Sequence, residues 1–222
     1  FFILFIWGQD SPNPQRFKKN SHGDNVSIEL FQLWDEKNSI PNNPVVFVGS
    51  SSIRKWSTAE YFPDIAIVNR GFGGSHISDV NFFINETVIK YKPSVIIFYA
   101  GDNDIYYGKR PRVVLQDYMI FVDRVHSQLP DTQIIFIPIK PSLKRWTLWN
   151  KMKEANMLVF NYSKESPLLH YIDTASPMLN INYLPRRSLF VSDSLHLSKE
   201  GYDLWSRILK PLLYTILEKS SQ

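Results

Sequence analysis

Two short polar segments of this 222-residue chain supply the residue types of covalent catalysis: GSSS at 49–52 and DSLH at 193–196. A serine hydroxyl is a weak nucleophile unless a base lies within hydrogen-bond reach and a third group fixes the tautomer of that base. His196 is such a base, and Asp193 can lie beside it if the segment forms one helical turn. Each segment alone also fits a simpler interpretation, because Gly-Ser runs are common in turns and Asp-x-x-His is an ordinary helix entry.

Two further segments could bind a ligand or a developing negative charge. GFGGS at 71–75 precedes a predicted helix, and its glycines allow backbone N–H groups to approach a ligand closely. The glycine spacing matches neither the P-loop nor the dinucleotide-binding motif, so a phosphate-binding protein is a weaker candidate. GDND at 101–104 contains Asn103, and by itself it is typical of an Asn/Asp turn or of weak acidic metal ligands.

The elements that must position these segments are predicted from hydrophobic patterning. Short, almost wholly apolar runs predict strands at 45–48, 65–68, 94–99, 133–137 and 168–172. Continuous rather than alternating apolar residues indicate strands buried on both faces, as in a parallel sheet. Longer amphipathic stretches predict helices at 78–91, 111–128, 146–164 and 199–217.

The repeated strand-then-helix order predicts an α/β protein, a flavodoxin-like three-layer αβα sandwich with a five-stranded parallel sheet. GSSS, the glycine segment and GDND each follow a predicted strand directly. In such folds, sites lie beyond the carboxyl ends of the strands, so these segments should meet at one edge of the sheet.

Taken together, the four segments resemble, in order, the sequence blocks of the SGNH or GDSL-like hydrolase superfamily of esterases and acyl hydrolases. The resemblance extends over residues 45–217 and implies the SGNH hydrolase fold. It also implies a role for each of five residues: catalytic Ser51, Asp193 and His196, and an oxyanion hole formed by the backbone N–H groups of Ser51 and Gly74 and the side-chain amide of Asn103.

The first block departs from the usual Gly-Asp-Ser-Leu, because Ser50 stands where the family has aspartate. In this respect the chain resembles the branch of the superfamily related to platelet-activating-factor acetylhydrolase, in which a Gly-Ser-Ser-Ser version of the first block occurs. The departure leaves Ser50 and Ser52 as rival nucleophiles, although Ser51 holds the register of the motif. It also keeps open a different class of function, an inactive relative that binds carbohydrate.

The function that the resemblance implies is a serine esterase that hydrolyses short-chain, acetyl-type carboxylic esters through an acyl-enzyme. Within the same class, a carbohydrate acetyl esterase and a lysophospholipase or thioesterase are alternatives. The expected partner is a small-molecule or glycan ester. No cofactor is expected, and the oligomeric state is not assigned.

Composition argues against several other classes. The 25 Lys and Arg residues are spread among 21 acidic residues, and no aromatic RNA-binding signature accompanies the short basic clusters, so nucleic acid is not an expected partner. Cysteine is absent, which removes disulfides, thiolate nucleophiles and cysteine-based zinc sites. The five histidines show no H-E-x-x-H spacing, so no metal site is expected.

The first twenty residues are predicted to be a signal-peptide remnant followed by a linker, ahead of a single domain at 21–222. FFILFIW at 1–7 is apolar but too short to span a bilayer, and Gly8 offers a small residue for cleavage. A short strand packed on the domain is the alternative interpretation. The expected location is therefore secreted or periplasmic, with no stable membrane insertion.

Overall fold

The computed structural model describes residues 13–18 and 28–220, and at its centre is a sheet of parallel strands. The five strands are β1 (Val45–Gly49), β2 (Ile67–Gly71), β3 (Val95–Tyr99), β4 (Gln133–Phe136) and β5 (Leu169–Tyr171). Their spatial order is β2-β1-β3-β4-β5, and each neighbouring pair is parallel. Strand β1, which lies between β2 and β3, ends at Gly49, and this residue lies opposite Gly71 on one side and Tyr99 on the other.

Helices connect the strands. Within the described residues they are α1 (Ile28–Lys37), α2 (Ser51–Arg54), α3 (Thr58–Tyr61), α4 (Ile77–Phe82), α5 (Ile84–Thr87), α6 (Asp102–Tyr106), α7 (Pro111–His126), α8 (Trp149–Tyr162) and α9 (Lys199–Ser220). Pro111 occupies the first turn of α7, where its missing N–H costs no helical hydrogen bond. Before α9, the Ser198 hydroxyl accepts a hydrogen bond from the Gly201 N–H at 3.2 Å, as expected of a capping serine. Among these helices, none combines the length and the hydropathy needed to cross a membrane.

Two apolar cores lie on opposite faces of the sheet. Val46 and Val48 of β1 contribute to the core under α1, α4, α5, α7 and α8, whereas Val45 and Phe47 contribute to the core under α2 and α9. Successive residues of a strand point to opposite faces, so a strand that is apolar at every position must be covered on both sides. The predicted three-layer αβα fold with five parallel strands is confirmed.

Two elements differ from their predictions for identifiable reasons. The helix predicted at 78–91 is divided into α4, α5 and a 3-10 turn, and the second division, between α5 and the 3-10 turn, coincides with consecutive β-branched residues from Thr87 to Ile89. The Thr87 hydroxyl bonds back to the Phe83 carbonyl at 2.8 Å. Strand β2 extends beyond the predicted 65–68 to Gly71, because the polar Asn69 and Arg70 both find partners there.

A short segment near the amino terminus is attached to the domain. Pro14–Phe17 forms a 3-10 turn, and Phe17 is buried, with its ring 5.0 Å from that of Phe72 in an edge-to-face arrangement. Arg16 contacts both carboxylate oxygens of Asp79, at 3.0 and 2.6 Å. The predicted signal remnant at 1–7 and cleavage position at Gly8 lie outside the described residues, and the domain boundary at residue 20 stays a prediction.

Candidate active site

The turn after β1 places Ser51 at the carboxyl edge of the sheet, at the first position of α2. Gly49 makes this turn possible. Its φ is +134°, and a Cβ atom there would lie 1.8 Å from the Tyr99 carbonyl oxygen. As the first residue of the helix, Ser51 has a backbone N–H with no acceptor in the preceding turn of helix. Both the hydroxyl and the amide of Ser51 are therefore positioned by a conformation that requires glycine two residues earlier.

The three consecutive serines have different environments. Ser50 is fully buried, and its hydroxyl has no hydrogen-bond partner within the described part of the chain. Ser52 is also fully buried, and its hydroxyl accepts a hydrogen bond from the Lys140 ammonium at 3.1 Å. Ser51 is partly exposed, and its Oγ lies 3.0 Å from Nε2 of His196. Only this serine of the three pairs with the histidine.

Asp193 orients His196 on the loop before α9. One oxygen of the Asp193 carboxylate accepts hydrogen bonds from the backbone N–H groups of Leu195 and His196, each at 2.9 Å. The other oxygen lies 2.6 Å from Nδ1 of His196. Ser194 between them has a φ of +62°, so the segment is an Asx-type turn and not the helical turn expected from the spacing. Since an ionised carboxylate can only accept, Nδ1 carries the proton and Nε2 is free to accept from Ser51.

The charges around this pair favour a neutral histidine beside an ionised aspartate. Burial and the positive charges of Lys55 and Lys140 lower the pKa of His196 from its usual value, despite the raising effect of Asp193. Burial would raise the pKa of Asp193, but hydrogen bonds from His196 and Leu195 hold that pKa far below its ordinary range. At neutral pH the histidine is therefore in its basic form.

Asn103 and Gly74 lie in the segments that follow the two strands flanking β1. Asn103 is in α6, directly after β3, and its Nδ2 donates a hydrogen bond to the backbone carbonyl of Ser75 at 3.0 Å. Gly74 precedes that residue, is exposed and has a φ of +80°. The Asn103 side chain therefore contacts the residue that follows Gly74. The role of Asn103 and Gly74 as oxyanion donors together with Ser51 stays a prediction.

Behind these segments lies a buried polar network that no sequence motif predicts. Lys140 is 1% exposed, and its ammonium donates to the hydroxyls of Ser52 and Tyr99 and to the carboxylate of Asp102. Arg145 is 8% exposed, lies 3.2 Å from the same carboxylate, and donates to the Asn103 carbonyl oxygen at 3.0 Å. Burial would raise the pKa of Asp102, but the two cations hold it below its usual value. One network therefore connects the neighbour of Ser51 with Asn103.

The acidic residue after Asn103 has a structural role. Asp104 is fully buried, accepts hydrogen bonds from the Ile77 N–H at the start of α4, and pairs with Lys109 at 2.9 Å. His76 caps α4 at its first turn, as its position before the helix suggests, and burial lowers its pKa to about 3. Across the described residues, no group of three or more acidic or histidine side chains is arranged to hold a metal ion.

The sequence matches one family model. The model of the GDSL-like lipase/acylhydrolase family matches residues 49–204, a range that begins at the serine turn and ends within α9. The match includes every segment that carries a predicted site residue. No protein of curated function matches the chain in sequence.

Solved structures show the same fold at low sequence identity. A Streptococcus pneumonia protein provisionally described as a platelet activating factor superposes with a TM-score of 0.73 at 20% identity, over 84% of this chain and 98% of that one. A GDSL-like lipase from Bacteroides thetaiotaomicron gives 0.72 at 17%, over 85% and 97%. An acetyl-xylooligosaccharide esterase from Geobacillus gives 0.61 at 15%, over 78% and 94%.

Proposed function

Because this chain belongs to the GDSL-like lipase/acylhydrolase family, we propose that it is a serine esterase that cleaves short-chain acyl esters through an acyl-enzyme. The observation that carries the proposal is the hydrogen-bonded series from Ser51 through His196 to Asp193, with contacts of 3.0 and 2.6 Å. A nucleophile, a base and a group that orients the base are the parts that serine hydrolysis needs.

Acylation begins with proton transfer from Ser51. As its Oγ attacks the ester carbonyl carbon, Nε2 of His196 takes the hydroxyl proton. Asp193 remains ionised and stabilises the imidazolium that forms. The imidazolium then donates the proton to the departing alkoxide, so the C–O bond breaks with release of a neutral alcohol.

The tetrahedral intermediate places a negative charge on the former carbonyl oxygen. The backbone N–H groups of Ser51 and Gly74 and the amide of Asn103 would donate to this oxygen, which stabilises the transition state more than the ground state. In the second half of the reaction, His196 removes a proton from water as the water oxygen attacks the acyl carbon. The imidazolium then returns the proton to Oγ of Ser51 as the bond between Oγ and the acyl carbon breaks, which releases the acid and restores Ser51.

The test is a panel of p-nitrophenyl esters from acetate to palmitate, run beside acetylated xylan, with covalent labelling by a fluorophosphonate. We expect labelling, and the fastest turnover with acetate or butyrate. Acetylated xylan is included because the Geobacillus esterase of the same fold is named for acetylated xylooligosaccharides. A protein that neither labels nor cleaves any ester would be an inactive binding relative, and the proposal would fail.

The acid limb of the pH profile is a further expected result. His196 must be neutral to act as the base, so kcat/KM should rise with pH and approach half its plateau below pH 6.5, the usual pKa of histidine, because burial lowers the pKa of His196. Lys55→Gln removes a positive charge that contributes to this lowering, so the midpoint should move to higher pH. Lys153→Gln, on the exposed face of α8, is the matched control and should leave it in place. A wild-type midpoint above 6.5 would contradict the assignment of the base.

A further inference from the structure

Two hydrogen bonds whose donor and acceptor cannot exchange roles fix the orientation of the Asn103 side-chain amide. The Ser75 backbone carbonyl can only accept, so Nδ2 of Asn103 must face it, at 3.0 Å. The Arg145 guanidinium can only donate, so Oδ1 of Asn103 must face it, at 3.0 Å. A rotation of the amide by half a turn would break both contacts and leave Asn103, Ser75 and Arg145 unsatisfied in a buried environment.

Arg145 itself is held in place by its surroundings. Its Nη1 lies 3.2 Å from the Asp102 carboxylate, and its guanidinium lies over the Tyr106 ring at 4.4 Å from the centroid. Asp102 is in turn fixed by the buried Lys140, at 3.1 Å. The planar guanidinium reaches the carboxylate of one residue and the amide oxygen of the next, which an ammonium group cannot do with the same geometry.

We propose that Arg145 is a positioning residue that keeps the Asn103 amide turned so that its nitrogen, and not its oxygen, faces the substrate. The inference rests on the proposed function, because it assigns the second Nδ2 hydrogen to the oxyanion. The first hydrogen is used by the Ser75 carbonyl. A reversed amide would present a lone pair to the developing negative charge, and loss of Arg145 leaves the Ser75 carbonyl alone to oppose reversal or displacement of the amide.

A purely structural role for Arg145 gives a different expectation. A buried arginine that only neutralises Asp102 would contribute to the free energy of unfolding, and its loss would not depend on the identity of residue 103. A residue that acts through Asn103 should lose its kinetic effect when that amide is absent, because coupled residues give non-additive effects in a double-mutant cycle.

The experiment is such a cycle, with kcat and KM for p-nitrophenyl acetate and thermal unfolding measured for each variant. Arg145→Met should lower kcat by roughly tenfold or more, with KM changed less than about threefold. The reason is that the hydrogen bond from the Asn103 amide to the oxyanion contributes in the transition state. In an Asn103→Ala background the same substitution should change kcat by less than about twofold. If Arg145→Met does not fold, Arg145→Lys replaces it in the cycle, because it keeps a cation for Asp102 but lacks the fork.

The control is Arg70→Met, which removes another buried arginine with an ion-pair partner. Arg70 pairs with Asp35 and donates to the Tyr91 hydroxyl at 2.6 Å, and these contacts include none of the five predicted site residues. The Arg70→Met substitution should lower thermal stability and leave kcat unchanged. The inference would be overturned if the Arg145 substitution lowered kcat equally in the wild-type and Asn103→Ala backgrounds, or if a folded Arg145 variant kept the wild-type kcat. In either case the activity of the wild-type protein would leave the proposed function intact. Absence of wild-type hydrolysis and labelling would instead remove the proposed function.

Discussion

Ser51→Ala is expected to lower kcat for p-nitrophenyl acetate by roughly a million-fold, the size of loss that follows removal of a serine hydrolase nucleophile. The reason is geometric, because the Oγ of Ser51 is the hydroxyl that lies 3.0 Å from Nε2 of His196. The variant should also resist fluorophosphonate labelling. Because a methyl group replaces a partly exposed hydroxyl, the thermal unfolding temperature should change little.

The neighbouring serines provide matched controls for this prediction. Ser50→Ala removes a buried hydroxyl without a partner in the described chain, so kcat should stay within about threefold of wild type. Ser52→Ala removes one acceptor of Lys140, whose ammonium retains Tyr99 and Asp102, and should keep kcat within about tenfold. Full activity in the Ser51 variant, with loss of activity in either neighbouring variant, would show that Ser51 is not the nucleophile.

Asn103→Ala is expected to lower kcat by about 10²- to 10³-fold, the cost of removing one side-chain donor from an oxyanion hole. KM should change little, because the donated hydrogen bond strengthens only when charge develops on the substrate oxygen. The measurement is steady-state kinetics on the same ester, with circular dichroism to establish that the fold is retained.

Asn156→Ala is the matched control for that substitution. Asn156 is also buried, and its amide bonds both the N–H and the carbonyl of Ile139, at 2.8 and 2.9 Å. Its loss should reduce stability without a comparable loss of kcat. If Asn103→Ala keeps the wild-type kcat, Asn103 is not an oxyanion donor.

The sheet could be predicted from sequence because its central strands are buried on both faces. Strands β1 and β3 are apolar at nearly every position, which is a pattern with few alternatives. The edge strand β2 was displaced in the prediction, since Asn69 and Arg70 are polar residues whose partners, Ile53 and Asp35, are distant in sequence. The short helices α2, α3 and α6 were not predicted, because helices of four or five residues depend on tertiary contacts and not on their own propensity.

The candidate site could be predicted only where short motifs carry it. GSSS and DSLH place Ser51, Asp193 and His196 by their resemblance to the family's blocks, and the structure brings these three side chains together. Lys140 and Arg145 have no such motif, since their contacts join positions 38 to 88 residues apart. A lysine soon after the apolar run of β4, at the carboxyl edge of the sheet, was the one available signal.

The attachment of Pro14–Phe17 to the domain has a consequence for any shortened form of the protein. Burial raises the pKa of Asp79 to about 6 even with Arg16 beside it, and this carboxylate also accepts the His76 N–H that begins α4. A chain cut at residue 20 would lose that guanidinium, so Asp79 would take up a proton more readily and hold the start of α4 less firmly. It would also uncover the ring of Phe72, the second residue of the GFGGS segment, which Phe17 contacts. Recombinant forms that start after residue 20 should therefore be more prone to self-association in mildly acidic buffers than forms that retain Arg16 and Phe17.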